Sequence, residues 1–294
     1  MKTNSGMTSG VFAKRMLRLS KNWIKAWRGD NSYAGEFEHL QSLLKKLNIN
    51  GGFLVDIAAS DGVHQSCTLG FLSSGGWEGL AVEMDPEKFA NLAFIFSQFE
   101  AVKLARNKVT PENVEAVLVS NAVPRDFTLL NLDIDSYDLT VMEEMLNAEF
   151  RPAVISMEVN EKIPPPVYFR VNFDASHFWK GDHFFGCSLA AAASVMKPRG
   201  YKLESLQFNN AVFVRGDLAE GIISDRSAEE AYELGYRSQA DRKRLFPWNA
   251  DVEHALGSTA EENVRFFREL FKDYQGKYTL AAAPPERNSP PQRL

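Results

Sequence analysis

Apolar residues along this chain fall into short runs, and stretches of helical spacing separate them. Phe53-Leu54-Val55-Asp56-Ile57 follows a Gly-Gly pair and reads as a strand buried on both faces. A helix-like stretch over 66–73 leads to a second apolar run, Gly79-Leu80-Ala81-Val82-Glu83. Pro86 then opens a helix reaching Gln98, because proline suits a first helical turn. The alternation continues with strands at 101–104, 127–134 and 152–159, and with helices starting near Thr110 and Asp138. A helix over 184–197 precedes Tyr201–Phe208 and Ala211–Arg215, which read as a hairpin turning at Asn209-Asn210.

Repeated β-α units closed by a hairpin predict an α/β, Rossmann-like, doubly wound sheet of seven strands. It is mostly parallel with one antiparallel terminal strand, and helices flank it. The pattern divides the chain into an N-terminal basic helical segment (1–50), a core domain (51–217), a helical extension (218–280) and a disordered tail (281–294). The first ten residues read as disordered. From Val11 to Arg28, Phe12, Met16, Leu19, Trp23 and Trp27 recur near helical spacing among basic residues. That helix is expected to pack on protein rather than on a membrane surface. Residues 161–183, rich in proline and aromatics, read as a lid loop, with Tyr168, Phe178 and Trp179 able to stack on a ring.

Composition removes several classes. Apolar residues make up 45% of 294 and charged residues 24%, which is core-forming material rather than a disordered chain. The two cysteines, Cys67 and Cys187, stand in no metal-binding spacing. A net charge of −5 argues against nucleic-acid binding. The expected location is cytoplasmic, and the helical extension suits a core contact or a homodimer.

In doubly wound sheets ligands bind beyond the carboxyl ends of the strands, so the residues closing each strand carry the functional argument. The first strand ends in Asp56-Ile57-Ala58-Ala59-Ser60-Asp61-Gly62, whose small residues allow a sharp turn and a close approach of ligand to backbone. The second closes on Glu83-Met84-Asp85, where an acid can accept two hydrogen bonds from a ribose. No GxGxxG fingerprint is present, so the pattern suits a nucleoside without a pyrophosphate. The fourth and fifth strands end in Asp133, Asp135, Glu158 and Asn160, which should converge. Carboxylates crowded this way need a proton, a cationic neighbour or a metal, and hard oxygen ligands suit Mg²⁺ or Mn²⁺. Asp135 or Ser136 also reads as an N-cap of the helix that follows.

The segments FLVDIAASDG and GLAVEMDPEKF resemble the first two motifs of class I S-adenosylmethionine (SAM)-dependent methyltransferases. Within that superfamily GWEGLAVEMDPEKFANL, VTPENVEAVL and LLNLDIDSYDLTVMEEML are most similar to the FkbM-like group. The acidic turn LDIDSYDLTVMEEM resembles that of macrocin-type sugar O-methyltransferases, in which such acids hold magnesium. The resemblance implies SAM as cofactor, bound by Asp56, Ala58, Ser60, Asp61, Gly62, Glu83, Met84, Asn107 and Asp133. It implies Asp133 and Glu158 as catalytic residues, and Asp133, Asp135 and Glu158 as metal ligands; His183, in the long segment over the strand ends, is the leading candidate for a catalytic base. The expected reaction is methyl transfer to a hydroxyl of a sugar or glycan-type acceptor. A non-sugar small molecule or peptide acceptor, or an inactive SAM-binding assembly partner, are the alternatives. One departure stands out: Ala58 replaces the usual glycine of the first motif.

Overall fold

The computed structural model describes Leu17 and residues 32–285. The basic helix expected over 11–28, apart from Leu17, and the last nine residues of the expected tail lie outside the described residues. The chain divides into two compact units, one ending at Lys108 and the other beginning at Val109. That division falls inside the stretch 51–217 expected as one domain.

The first unit begins with helix α1 (Glu36–Lys46), which buries Leu40, Leu43 and Leu44 on one face. Strand β1 (Gly52–Ile57) follows, then the short helix α2 (Leu69–Ser73), strand β2 (Trp77–Glu83), helix α3 (Pro86–Phe96) and strand β3 (Val102–Arg106). The three strands are parallel, with Ile57 opposite Val82 and Glu83 opposite Arg106. Asp85 caps α3 by accepting the backbone N–H groups of Glu87 and Lys88, both at 2.8 Å, and Pro86 occupies the first turn.

The second unit contains helix α4 (Val114–Ser120), strand β4 (Leu129–Leu132), helix α5 (Asp138–Asn147) and strand β5 (Val154–Glu158). Strand β6 (Tyr168–Val171), helix α6 (Leu189–Met196) and the antiparallel pair β7 (Tyr201–Gln207) and β8 (Asn210–Arg215) follow. The last main elements are helix α7 (Ala228–Tyr232), which runs into a π-turn over Glu233–Arg237, helix α8 (Ala260–Leu270) and strand β9 (Tyr278–Ala281). Strand β5 pairs in parallel with β4 and antiparallel with β8, so Glu158 lies opposite Asn210. The seven-stranded order is β3-β2-β1-β4-β5-β8-β7, the expected α/β, mostly parallel arrangement with helical flanks.

Three details differ from the sequence reading. The hairpin turns at Phe208-Asn209, one residue early, because Phe208 adopts φ 54° and its N–H bonds to Gly235 O at 3.1 Å. Residues 161–183 are not one continuous loop: β6 lies within them and pairs with β9 in a separate two-stranded sheet. Tyr168 is consequently buried in that strand rather than available for stacking, whereas Phe178 and Trp179 are exposed. Residues 278–281 are strand, not helix or tail. This second sheet has its own core, in which Ile163, Val167, Phe169 and Phe184 pack with Phe267 and Phe271 of the C-terminal extension. Among the described residues no helix is long and apolar enough to cross a membrane.

Candidate functional site

In the first unit the candidate cofactor residues gather where β1 and β2 end. Ala58, Ser60 and Gly62 have φ of 68°, 53° and 74°, so three of five consecutive residues are left-handed. That conformation is natural for glycine and strained for alanine. The glycine missing from the motif is therefore missing at a position whose backbone still takes the glycine shape. Gly62 is required twice over, since a Cβ there would meet Phe96 and Leu92 side-chain carbons at 2.5 and 2.6 Å.

Glu83 organises this turn. Its Oε2 accepts the Ser60 N–H at 2.9 Å, and its Oε1 accepts the Asp85 N–H at 2.7 Å. The residue is buried, yet each carboxylate oxygen can accept a second hydrogen bond. Asp56 Oδ2 accepts the Thr68 hydroxyl at 2.6 Å, and Asp61 Oδ1 accepts the N–H groups of Val63 and His64 at 3.0 and 2.8 Å. These two acids therefore shape the turn as well as lining it. Met84 is exposed beside Glu83, and Asn107 donates its backbone N–H to Glu83 O at 3.1 Å.

In the second unit Asp133, Asp135 and Glu158 present carboxylate oxygens within 4.8 Å of one another, the convergence expected from the strand ends. Asp135 adopts φ 61°. Glu158 is buried; Asn209 Nδ2 donates to its Oε1 at 3.1 Å, and its Oε2 has no hydrogen-bond partner among the described residues. Burial first, and then the charges of Asp133, Asp135, Asp138 and Glu161, push its carboxyl well above the usual range. Asn160 does not join the acids. Its Nδ2 donates to His183 O at 2.9 Å and to Phe185 O at 3.0 Å, which fixes the far end of the 161–183 segment. The expected caps, Asp135 and Ser136, are not the N-cap of α5; Tyr137 is. Asp138 does the capping work in reverse, accepting the N–H groups of Ile134 at 2.6 Å and Ser136 at 3.0 Å. Its complete burial raises its carboxyl to about 6 against those two bonds.

His183 Nε2 lies 3.0 Å from Asp251 Oδ2. The Asp251 carboxylate accepts, so Nε2 donates to it and Nδ1 is the nitrogen this contact leaves over. That Nδ1 is buried and has no partner among the described residues.

Three buried residues escaped the sequence reading. Glu161 and Lys162 are almost fully enclosed, with Nζ 3.4 Å from Glu161 Oε1 and 4.2 Å from the centre of the Phe185 ring. Asn249 Nδ2 donates to the same Glu161 oxygen at 2.7 Å, and Tyr232 donates its hydroxyl to Glu161 O at 2.5 Å. A Glu-Lys pair after a strand reads as solvated charge. Only the arrival of Tyr232 and Asn249 from far along the chain buries it.

No family model matches the chain, and no curated protein matches it. Solved structures of similar fold include the N-terminal domain of EvdMO1 in the presence of SAH and D-fucose, 10% identical. The match covers 62% of this chain and 83% of that one, with a TM-score of 0.40. A SAM-dependent methyltransferase from Clostridium acetobutylicum ATCC 824 is 11% identical over 68% of this chain and 99% of its own, with a TM-score of 0.40. The CurJ carbon methyltransferase is 8% identical over 62% of this chain and 54% of its own, with a TM-score of 0.39. With TM-scores of 0.40 or less, none of these likenesses assigns a function to this chain.

Proposed function

We propose that the chain is a SAM-dependent methyltransferase that directs the methyl group to a hydroxyl of a sugar or glycan-type acceptor. The observation that carries the reading is the junction of β1 and β2. A buried acid closes the second strand and holds a left-handed, small-residue turn leaving the first. The residues present fit a nucleoside: Glu83 keeps acceptor capacity for ribose hydroxyls, and exposed Met84 offers an apolar face beside it. Bound SAM supplies a methyl group already activated by its sulfonium. The chain has to orient the acceptor oxygen in line with that methyl and keep water out.

The hydroxyl direction is supported by the acids of the second unit. Three carboxylates with oxygens within 4.8 Å, one of them carrying a buried Oε2 without a partner, fit a hard divalent cation. Mg²⁺ or Mn²⁺ held by Asp133, Asp135 and Glu158 would lower the pKa of an acceptor hydroxyl. Burial and its acidic neighbours shift Glu158 toward its protonated form, and Asp133, a less buried acid of the cluster, is assigned to receive the hydroxyl proton. His183, whose Nδ1 is left over by the Asp251 contact, is the base expected if Asp133 proves dispensable.

Titration calorimetry of the full chain with SAM and with its demethylated product tests the cofactor. Saturable binding of both, weakened in Glu83→Gln, is expected, and absence of binding to the wild type overturns the reading. Transfer of labelled methyl to a panel of glycosides then tests the acceptor class. Transfer only to non-hydroxyl acceptors would overturn the O-direction while leaving the cofactor assignment intact.

A further inference from the structure

Strand β9 pairs with β6 on one side, and among the described residues no strand pairs with its other side. Backbone groups in an antiparallel pair point alternately toward the partner strand and away from it. Asn172 N–H donates to Lys277 O at 2.8 Å, which fixes that alternation. Lys277, Thr279 and Ala281 turn their backbone groups toward β6, so Tyr278 and Leu280 turn theirs outward. The far side of β6 agrees. There Val171 N–H donates to Gly186 O at 3.0 Å and Ser188 N–H to Phe169 O at 2.9 Å, which leaves Tyr168 and Arg170 to bond β9. Among the described residues none takes up the outward N–H and C=O of Tyr278 or Leu280.

Open edges are normally guarded by charges, prolines or bulges that keep other strands from adding to them. Tyr278–Ala283 contains neither a charge nor a proline, and the β6–β9 register runs without a shift. Lys277 stands just before the strand, but its Nζ is drawn to Asp174 Oδ2 at 3.0 Å. This edge is unguarded.

The edge also fits itself. A second copy laid antiparallel, with Thr279 opposite Thr279, sets Tyr278 of each copy against Leu280 of the other. Those are the residues whose groups face outward, so each open N–H meets an open C=O. The same register joins two exposed threonines, a favourable cross-strand pair, and sets Lys277 against Ala281 rather than against a like charge. Beside the edge an open groove of about 400 Å³ is lined by Tyr278 and Leu280 of β9 and by Arg268 and Glu269 of α8, with Lys272 just beyond that helix. A two-fold axis turns this groove onto its own image. Because it carries both signs, with Glu269 holding Lys272 at 2.8 Å, the axis does not bring one sign of charge against itself.

We propose that two copies of the chain join edge to edge through β9, forming a four-stranded sheet β6-β9-β9-β6 about a two-fold axis at Thr279. Pairing of this kind is closed, since the same patch is used on both copies and no third copy can add. The contact is small, below the roughly 1,200 Å² of standard interfaces, so the dimer dissociates at micromolar concentrations. The assignment rests on the second sheet alone and does not depend on methyl transfer.

Sedimentation velocity on the full chain, from about 1 to about 500 µM, should show a reversible monomer–dimer equilibrium. Thr279→Cys should form a covalent dimer under mild oxidation. Facing Cα atoms in a non-hydrogen-bonded pair lie about 4.5 Å apart, which a disulfide can span. Cys67 and Cys187 are buried and do not compete. Ala281→Cys, opposite Lys277 and more than about 13 Å from its own image, should cross-link far less. Thr279→Lys and Thr279→Glu, at an exposed position, should each weaken association about fivefold, and an equimolar mixture of the two should recover it. A wild type that stays monomeric over the whole range would overturn the proposal. Equal cross-linking of the two cysteine variants, or association unchanged by either charge at 279, would overturn it as well.

Discussion

Glu83 Oε2 accepts the backbone N–H of Ser60 at 2.9 Å, so the acid closing β2 also holds the turn that leaves β1. This couples ligand affinity to local fold. Glu83→Ala removes a buried carboxylate that serves two amides and is expected to lower stability by about 1–3 kcal/mol. Glu83→Gln keeps an acceptor for one amide and should cost less stability. Both variants should bind SAH at least about tenfold more weakly. Denaturant melts with calorimetry check this, and full SAH affinity in a folded Glu83→Ala protein would remove Glu83 from the cofactor site.

Ala58 carries φ 68°, a conformation that disfavours an L-residue by about 1–2 kcal/mol. Ala58→Gly relieves that strain and loses part of the gain to the greater freedom of the unfolded chain, about 0.4–1 kcal/mol. The expected net effect is stabilisation of about 0.5–1 kcal/mol, read as a rise in denaturation midpoint at unchanged slope. Destabilisation would mean that the Ala58 methyl makes packing contacts worth more than the strain.

The sheet was legible because its strands are buried runs punctuated by glycine and proline, a local signal. Its strand ends followed from topology, and the convergence of Asp133, Asp135 and Glu158 followed from them. What escaped depends on partners distant in sequence. Tyr278–Ala281 is partly exposed and forms a strand only through pairing with Tyr168–Val171. Burial of Glu161 requires Asn249, and burial of Asp138 requires the loop whose amides it accepts. No periodicity within a short window contains such information.

Glu158 keeps its proton more tightly when folded than when unfolded. As pH rises from the unfolded value of about 4.5, the unfolded chain ionises first, so stability is lost until the folded value is passed. Asp138, raised to about 6, acts in the same direction. Glu158→Gln removes only the Glu158 part and should therefore fall off less than the wild type as pH rises above about 4.5. Mg²⁺ or Mn²⁺ at a hundredfold excess over Kd should stabilise the wild type by about 2.7 kcal/mol at pH 8 and leave the variant nearly unchanged. Equal responses of the two proteins to cation would exclude Glu158 as a ligand.

The segment read as a lid is fastened by the C-terminal extension. Phe184 and Tyr274 stack face to face at 3.9 Å, Tyr274 donates its hydroxyl to Asp182, and Lys277 Nζ pairs with Asp174 Oδ2 at 3.0 Å. Tyr274→Ala should release residues 172–183 and speed their proteolytic cleavage severalfold. Tyr274→Phe keeps the stack and loses only the hydrogen bond, about 0.5–1.5 kcal/mol. Unchanged cleavage rates in both variants would show that the fastening lies elsewhere.

His177 gives the same fastening a pH dependence. Its ring meets Phe184 edge-on at 5.5 Å and Tyr274 at 6.1 Å, and its Nε2 is buried with no partner among the described residues. Burial and then Lys277 lower its pKa, with Lys180 acting in the same direction, while Asp174 and Asp182 oppose them. The folded state thus favours the neutral ring. Below the unfolded value of about 6.5, protonation draws the chain toward forms in which the ring is hydrated, and stability falls with pH. Cleavage within 172–183 is expected to accelerate between about pH 7 and 5, and His177→Phe, apolar and similar in shape, should flatten that profile. Because the variant also removes a buried polar atom, it should be at least as stable as the wild type at pH 5, measured by denaturant melting. A variant whose cleavage accelerates on acidification as steeply as the wild type would exclude His177 as the source of the pH response.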